Sequence, residues 1–339
     1  MSTLPVTGRR SATSSPRTSG VVPALLAVPG EDGSVRCDAC AMRCLVRPGR
    51  TGICGVRENR DGILYSTVYG RAVAVGIDPI EKKPLFHVAP GALAYSIATV
   101  GCPFHCSFCQ NWEIAQAPRL GLDLPTRHMP PSKVVDEALN ARARAIAYTY
   151  VEPTVFLEYA LDTAREAHAA GLLNVFVTDG YATPEAIDLL RPYLDAANVD
   201  LKAFTEDFYF RQTGAHLAPV LETLEFIHAE TNCWLEITTL LIPGQNDSPA
   251  EIDAMTRWIA DHLERLRDIL INHQVYFPSH PQLNDPRDGW PTFHTKSLAE
   301  IVGFLVNGYN LIAAKLKSLS YKIASAMEDT TGLGDTSAE

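Results

Sequence analysis

Nowhere in the 339-residue chain does an apolar run approach the ~18 residues that a membrane helix needs, so the sequence reads as that of a soluble protein with no membrane partner. Positive charge is scarce. Lys and Arg total 29 against 39 Asp and Glu, a net charge of -10. That argues against a general nucleic-acid surface, because phosphate binding rests on clustered Lys and Arg. No secretory signal is evident, since "VVPALLAVPG" is short and carries two prolines. Acid is missing from the first twenty residues, "MSTLPVTGRRSATSSPRTSG", which are Ser-rich and basic. Transit peptides share that composition, and so do disordered tails; the expectation is a disordered tail over residues 1–33.

What is present points to a large globular core with metal chemistry. The 46% hydrophobic and 20% charged composition is ordinary, and the length suits one large domain plus an extra segment. Of eight cysteines, four lie between residues 37 and 54, three between 102 and 109, and Cys233 stands alone. Clusters spaced two or three residues apart make poor disulfide partners for each other. They make good metal sites in a reducing, cytoplasmic setting.

A compact cysteine-bearing module is expected over residues 34–91, with strand-like "ILYSTVYG" and "AVAVGI". From residue 92 a strand–helix alternation begins. Strand-like runs "ALAYSIATV", "AIAYTY", "LLNVFVT", "ANVDLK", "WLEITTLLI" and "HQVYF" are separated by helical patterns. Ser132 reads as an N-cap, Gly171 as a C′ glycine, and Thr183 as a cap with Pro184 at the first helical position. Ser248 and Glu251 read as a capping box around Pro249. About six such units mean a parallel sheet covered by helices, either doubly wound or a barrel. No Gly-rich phosphate fingerprint follows the first strand; a cysteine loop stands there instead. The expected fold is therefore α/β, a partial (β/α)6 TIM-type barrel over residues 92–295 with an N-terminal cysteine-rich module. A helical segment over 296–328 and a tail over 329–339 complete the chain.

The loop "VGCPFHCSFCQNW" carries Cys102, Cys106 and Cys109 as C-x3-C-x2-C. Thiolates suit zinc or iron–sulfur chemistry. A structural zinc site needs four ligands, which here would require a distant residue such as His105 or His87. Three thiolates can instead hold three irons of a four-iron cube and leave the fourth open to an outside molecule.

With Phe108 before the last cysteine, the loop resembles the signature of radical S-adenosylmethionine (radical SAM) enzymes. The resemblance runs from about residue 35 to 250 and is closest to the pyruvate formate-lyase activating enzyme group, within it to the AmmeMemoRadiSam system proteins. It rests on the loop and on "CDACAMRCLVRPGRTGICGVRENRDGILYSTVYGRAVAVGIDPIEKKPLF". It implies that Cys102, Cys106 and Cys109 bind a [4Fe-4S] cluster and that SAM chelates the open iron. An electron from the cluster would cleave SAM to methionine and a 5′-deoxyadenosyl radical that takes a hydrogen atom from the substrate. A reductant such as flavodoxin or ferredoxin would supply the electron, and in activases the substrate is a partner protein.

The same resemblance gives roles to strand ends. Glu152 in "YTYVEP" would hold the SAM amino group; otherwise it is a helix-start carboxylate. Asp179 in "VTDGY" stands where relatives carry Asn, and it can accept a ribose hydroxyl bond; otherwise it belongs to an Asp-Gly turn. Asp200 and Lys202 in "VDLK" are two apart and share a face, with contacts to SAM implied and a surface ion pair the alternative. Asn246, Asp247 and His280 are candidates for the pocket or plain loop residues.

Cys37, Cys40, Cys44 and Cys54 read C-x2-C-x3-C-x9-C. Four thiols suit a closed site, zinc first and a second iron–sulfur cluster next, with free thiols the remaining alternative. Cys233 reads as a core residue. The function expected is a radical SAM enzyme resembling glycyl-radical-enzyme activases. The alternatives are radical SAM modification of another protein, peptide or metabolite, and a non-catalytic zinc scaffold.

Overall fold

The computed structural model describes residues 20–263. The expected strand "HQVYF", His280, the helical segment 296–328 and the tail 329–339 lie outside the described residues, as do residues 1–19.

The first part of the chain is a set of short strands: β1 (Gly20–Pro23), β2 (Ala27–Pro29), β3 (Val35–Cys37), β4 (Leu45–Val46), β5 (Arg57–Arg60), β6 (Ile63–Tyr69) and β7 (Arg71–Ala72). They build two three-stranded antiparallel sheets, β1-β6-β5 and β2-β3-β4. Residues 20–33 are thus ordered, against the expectation of a disordered tail reaching residue 33. The two prolines of "VVPALLAVPG" sit at the last positions of β1 and β2, where a missing N–H costs the ladder least.

β8 (Ala74–Pro79) pairs antiparallel along β9 (Leu93–Ala98) over six residues. "AVAVGI" therefore joins the main sheet as an edge strand, although the sequence pattern assigned it to the preceding module. After α1 (Trp112–Leu120) and β10 (Arg127–His128), which pairs with β7, the chain repeats. The repeat runs α2 (Pro131–Asn140), β11 (Ala145–Tyr148), α3 (Leu157–Ala169), β12 (Leu173–Thr178), α4 (Pro184–Leu190) and β13 (Ala196–Asp200). Then come α5 (Glu206–Phe208), α6 (Leu217–Glu230), β14 (Trp234–Thr238) and α7 (Pro249–His262).

The six-stranded sheet has the order β14-β13-β12-β11-β9-β8. From β9 to β14 the pairings are parallel and the order never reverses. A doubly wound sheet reverses at a switch point. Monotonic order instead keeps every crossover turning the same way, so the sheet curls into an open, partial TIM-type barrel.

Helix ends follow local chemistry. The Thr183 hydroxyl accepts from the Ala186 N–H, with Pro184 in the first turn. Ser248 caps α7 by accepting from the Glu251 N–H. The Glu251 carboxylate does not close the box; it accepts from the Phe204 N–H at 2.7 Å. Gly171, φ +77°, follows α3 as expected. At α2 the cap is Pro130, and Ser132 lies inside the helix with no capping bond.

Strand residues alternate between two cores. Ile97, Ile146, Tyr148, Phe176, Ala197 and Val199 belong to the large core that includes the helices. On the concave face stand small residues: Ala94, Ala145, Ala147, Val175 and Ala196. Ala147 is paired with Val175, and Val175 with Ala196. Their smallness leaves room for Ile80 and Leu85, both fully buried, from the strap that joins β8 to β9. Burying two such side chains contributes about 1.5–3 kcal/mol each. The strap plugs the lower half of the barrel and forms the floor of the space above. Glu236 anchors it by accepting from the Phe86 and His87 N–H groups at 2.9 and 3.0 Å.

Candidate active site

Above the strap lies a cavity of about 590 Å3, lined by residues from every parallel strand end and from the strap. Its size is that of a small-molecule or cofactor pocket. The cysteine loop forms one wall, and Cys102, Cys106 and Cys109 all line the cavity. Gly101 opens this loop with φ +95°, and a Cβ there would stand 2.6 Å from the Cys54 carbonyl oxygen; only glycine suits both demands. The loop is held from the far side by backbone bonds: the His105 N–H donates to Thr213 at 2.7 Å, and the Ser107 N–H to Gln212 at 2.8 Å. From within, Arg119 donates to the Cys102 carbonyl at 3.1 Å, and Gln116 to the Phe104 carbonyl at 2.9 Å.

Cys102 is buried, and Cys106 and Cys109 are half-buried. Burial pushes all three thiols up, Cys106 to about 12 even though Lys202 pulls the other way. Such thiols lose their protons most readily to a metal that replaces them. Neither His87 nor His105 lines the cavity, so neither is placed to complete a zinc site there. Phe108 lines it, with its ring 5.9 Å from that of Phe208.

The ends of β12 and β13 carry a compact charged group. Lys202 Nζ lies 2.8 Å from Asp179 Oδ1 and 2.9 Å from Asp200 Oδ2. Burial alone would lower the Lys202 pKa, but the two carboxylates outweigh it and hold the ammonium well above its usual range. Asp179 Oδ2 is 3.7 Å from Cys102 Sγ, which ties this group to the cysteine wall. Lys202 is nearly buried, so this is no surface ion pair.

Glu152 also lines the cavity, and it caps the short turn that precedes α3. One carboxylate oxygen accepts from the Thr154 N–H and hydroxyl, the other from the Thr178 hydroxyl and the Asp179 N–H. Burial, then the charge of Asp179, pushes its carboxyl up to about 7. It joins the β11 and β12 ends and sets the Asp179 backbone.

Asn246 and Asp247 are turn residues. Asn246 is buried and donates to the Lys202 and Leu240 carbonyls, and Asp247 accepts from the Gly244 N–H. Cys233 is half-buried at the edge of the core rather than within it. Cys37, Cys40, Cys44 and Cys54 line a second, much smaller cavity of about 10 Å3.

The sequence pattern missed the strap. Lys82, Lys83 and Tyr150 also line the cavity. Lys82 and Lys83 share Asp78 at 3.1 and 3.0 Å, and Lys83 lies 3.3 Å from the Tyr150 hydroxyl and over its ring. Tyr150 is held at φ +69°, unusual for a bulky residue and typical of functional sites. No local motif announces any of these.

Residues 96–256 match the family described as the Radical SAM superfamily. The chain belongs to that superfamily. This radical SAM protein is 40% identical over 235 residues to an uncharacterised protein of Methanocaldococcus jannaschii, covering 69% of each chain. It is 26% identical over 215 residues to the benzylsuccinate synthase activating enzyme of Thauera aromatica, covering 61% of this chain and 62% of that one, less than two thirds of the relative's length. A solved domain of the pyruvate-formate lyase-activating enzyme of Bacteroides vulgatus is similar at 18% identity and a TM-score of 0.39, covering 48% of this chain and 94% of that one.

Proposed function

We propose that this protein reductively cleaves S-adenosylmethionine at a [4Fe-4S] cluster held by Cys102, Cys106 and Cys109. The observation that carries the reading is the count of thiols at the large cavity: three, on one short loop, lining a space large enough for a cofactor. Three thiolates leave one iron of a cube without a protein ligand, whereas a closed structural site takes four. When bound, the cluster and SAM would supply an electron-driven cleavage to methionine and a 5′-deoxyadenosyl radical able to abstract hydrogen.

This chain's own residues hold and shield the pair. Asp179, Asp200 and Lys202 form a polar rim for SAM, with one fixed cation between two carboxylates. Phe108 closes the apolar side. Glu152 orders the Asp179 backbone: one carboxylate oxygen accepts from the Thr178 hydroxyl and the Asp179 N–H, while the other accepts from Thr154 in the turn before α3. The strap excludes water from below, and Lys82, Lys83 and Tyr150 make up the wall left for a substrate. Similarity to an activating enzyme supports an activase-like reaction on a partner protein. A reductant protein such as a flavodoxin or ferredoxin would supply the electron.

The test is anaerobic reconstitution with iron and sulfide, then reduction in the presence of SAM. The expected product is 5′-deoxyadenosine, at a rate reduced at least 100-fold in Cys106→Ala, since losing a cluster ligand removes the electron source. Full activity in Cys106→Ala, or no cleavage by reconstituted wild type, contradicts the proposal.

A further inference from the structure

The four upstream cysteines take no part in the reaction above, yet the fold brings them together. Cys37 ends β3, Cys40 and Cys44 lie on the turn that follows, and Cys54 comes from the loop before β5. All four line one cavity. No disulfide joins any of them. At about 10 Å3 the cavity has room for a single water-sized sphere. A four-iron cube, with four irons and four sulfides, is many times larger. Among the described residues no three His, Cys, Asp or Glu side chains are already drawn up as a metal's ligand shell, so the four thiols surround a space without closing on a point.

The charge around the cavity supplies a second, independent observation. Arg57 lines it and is paired with the buried Glu158 at 2.9 Å. Arg119 is half-buried between the two cysteine groups, and its described bonds go to the Ile53, Cys102, Pro103 and Phe104 carbonyls and the Gln116 amide oxygen, all neutral. A half-buried guanidinium held only by neutral acceptors is costly unless an anion stands nearby. Four thiolates around a divalent ion carry a net charge of about −2, which Arg119 would face from one side.

We propose that Cys37, Cys40, Cys44 and Cys54 bind one zinc ion in a closed, tetrahedral, all-thiolate site. Binding replaces four thiol protons, released to solvent, by one Zn2+; no electron moves. The site rivets the N-terminal strands to the barrel next to the radical site. Around it, the Ala41 N–H donates to the Tyr181 carbonyl at 2.9 Å, the Thr183 hydroxyl donates to the Asp38 carbonyl at 2.6 Å, and the Cys54 carbonyl abuts Gly101. The zinc is thus a structural neighbour of the cluster loop and not a second redox centre.

The proposal is tested on the full chain purified anaerobically, by metal analysis and by X-ray absorption at the zinc edge. The expected result is one zinc per chain with a single shell of four sulfurs at about 2.3 Å. Cys40→Ser/Cys54→Ser is expected to lose at least nine tenths of the zinc while the iron bound on reconstitution is unchanged. Cys106→Ala is expected to do the reverse. A zinc-free protein with about eight irons per chain, two cubes' worth, overturns the proposal. So does a metal-free site with four titratable thiols, or a zinc shell containing nitrogen or oxygen. Should the double variant fail to fold, the wild-type absorption spectrum alone decides. None of these readouts depends on SAM cleavage, so this proposal and the radical reading stand or fall separately.

Discussion

Lys202 Nζ sits 2.8 Å from Asp179 Oδ1, joining the end of the fourth parallel strand to the end of the third within reach of the cysteine wall. A buried ammonium between carboxylates is stable only while all partners are present. Removing the cation in Lys202→Met leaves Asp179, itself mostly buried, without its counter-charge. The expected cost is about 3–5 kcal/mol, seen as a lower urea midpoint, with weaker SAM binding in equilibrium dialysis. A variant with unchanged stability and affinity would show that the rim is not organised by this pair.

Arg57 and Glu158 lock the N-terminal sheets to α3. Both side chains are almost wholly buried and meet at 2.9 Å. Arg57→Met is expected to cost about 3–5 kcal/mol, because the Glu158 charge is left uncompensated. Arg57→Met combined with Glu158→Leu should cost less than the sum of the single changes, as a double-mutant cycle on unfolding free energies would show. Strict additivity would contradict the pairing.

Gly101 is where the three-cysteine loop meets Cys54 and Val56 of the loop before β5. In Gly101→Ala the new methyl meets the Cys54 carbonyl at 2.6 Å and Val56 at 2.8 Å, on a backbone with φ +95°. A loss of about 1–3 kcal/mol is expected. Iron uptake on reconstitution should fall with it, because the strain lies one residue from Cys102. Normal iron content would mean that the loop can shift without moving its thiols.

The strap depends on small residues beneath it. Ala147→Leu forces three more carbons, a methine and two methyls, into the space held by Ile80 and Leu85. Overpacking of this kind costs about 1–3 kcal/mol. Adding Leu85→Ala should restore part of the melting temperature by returning volume. If the second change only deepens the loss, the strap does not fill the barrel as described.

Much of this site was legible in the sequence because its signals are local. C-x3-C-x2-C is a local signal, and the family resemblance singled out Glu152, Asp179, Asp200 and Lys202 at strand ends; all of them line the cavity. Most of the misses share one cause, long-range pairing. β8 reads as a strand in any context; only its ladder with β9 puts it in the main sheet. Lys82 and Lys83 are ordinary loop residues until Ile80 and Leu85 pull the strap inside the barrel. Asn246 read equally as a pocket residue or a plain turn residue, and only the fold shows its amide donating to the Lys202 and Leu240 carbonyls. Ser132 lost the cap position because Pro130 and Pro131 fix the backbone two residues earlier.

The central claim is that the three-cysteine wall holds a cluster with one iron open to SAM. Electron paramagnetic resonance of the reconstituted, reduced protein tests it most directly. The account predicts a reduced four-iron signal whose g-values shift when SAM is added, and no such signal in Cys102→Ala, Cys106→Ala or Cys109→Ala. A signal that SAM leaves unchanged, or one that survives loss of these cysteines, would contradict it.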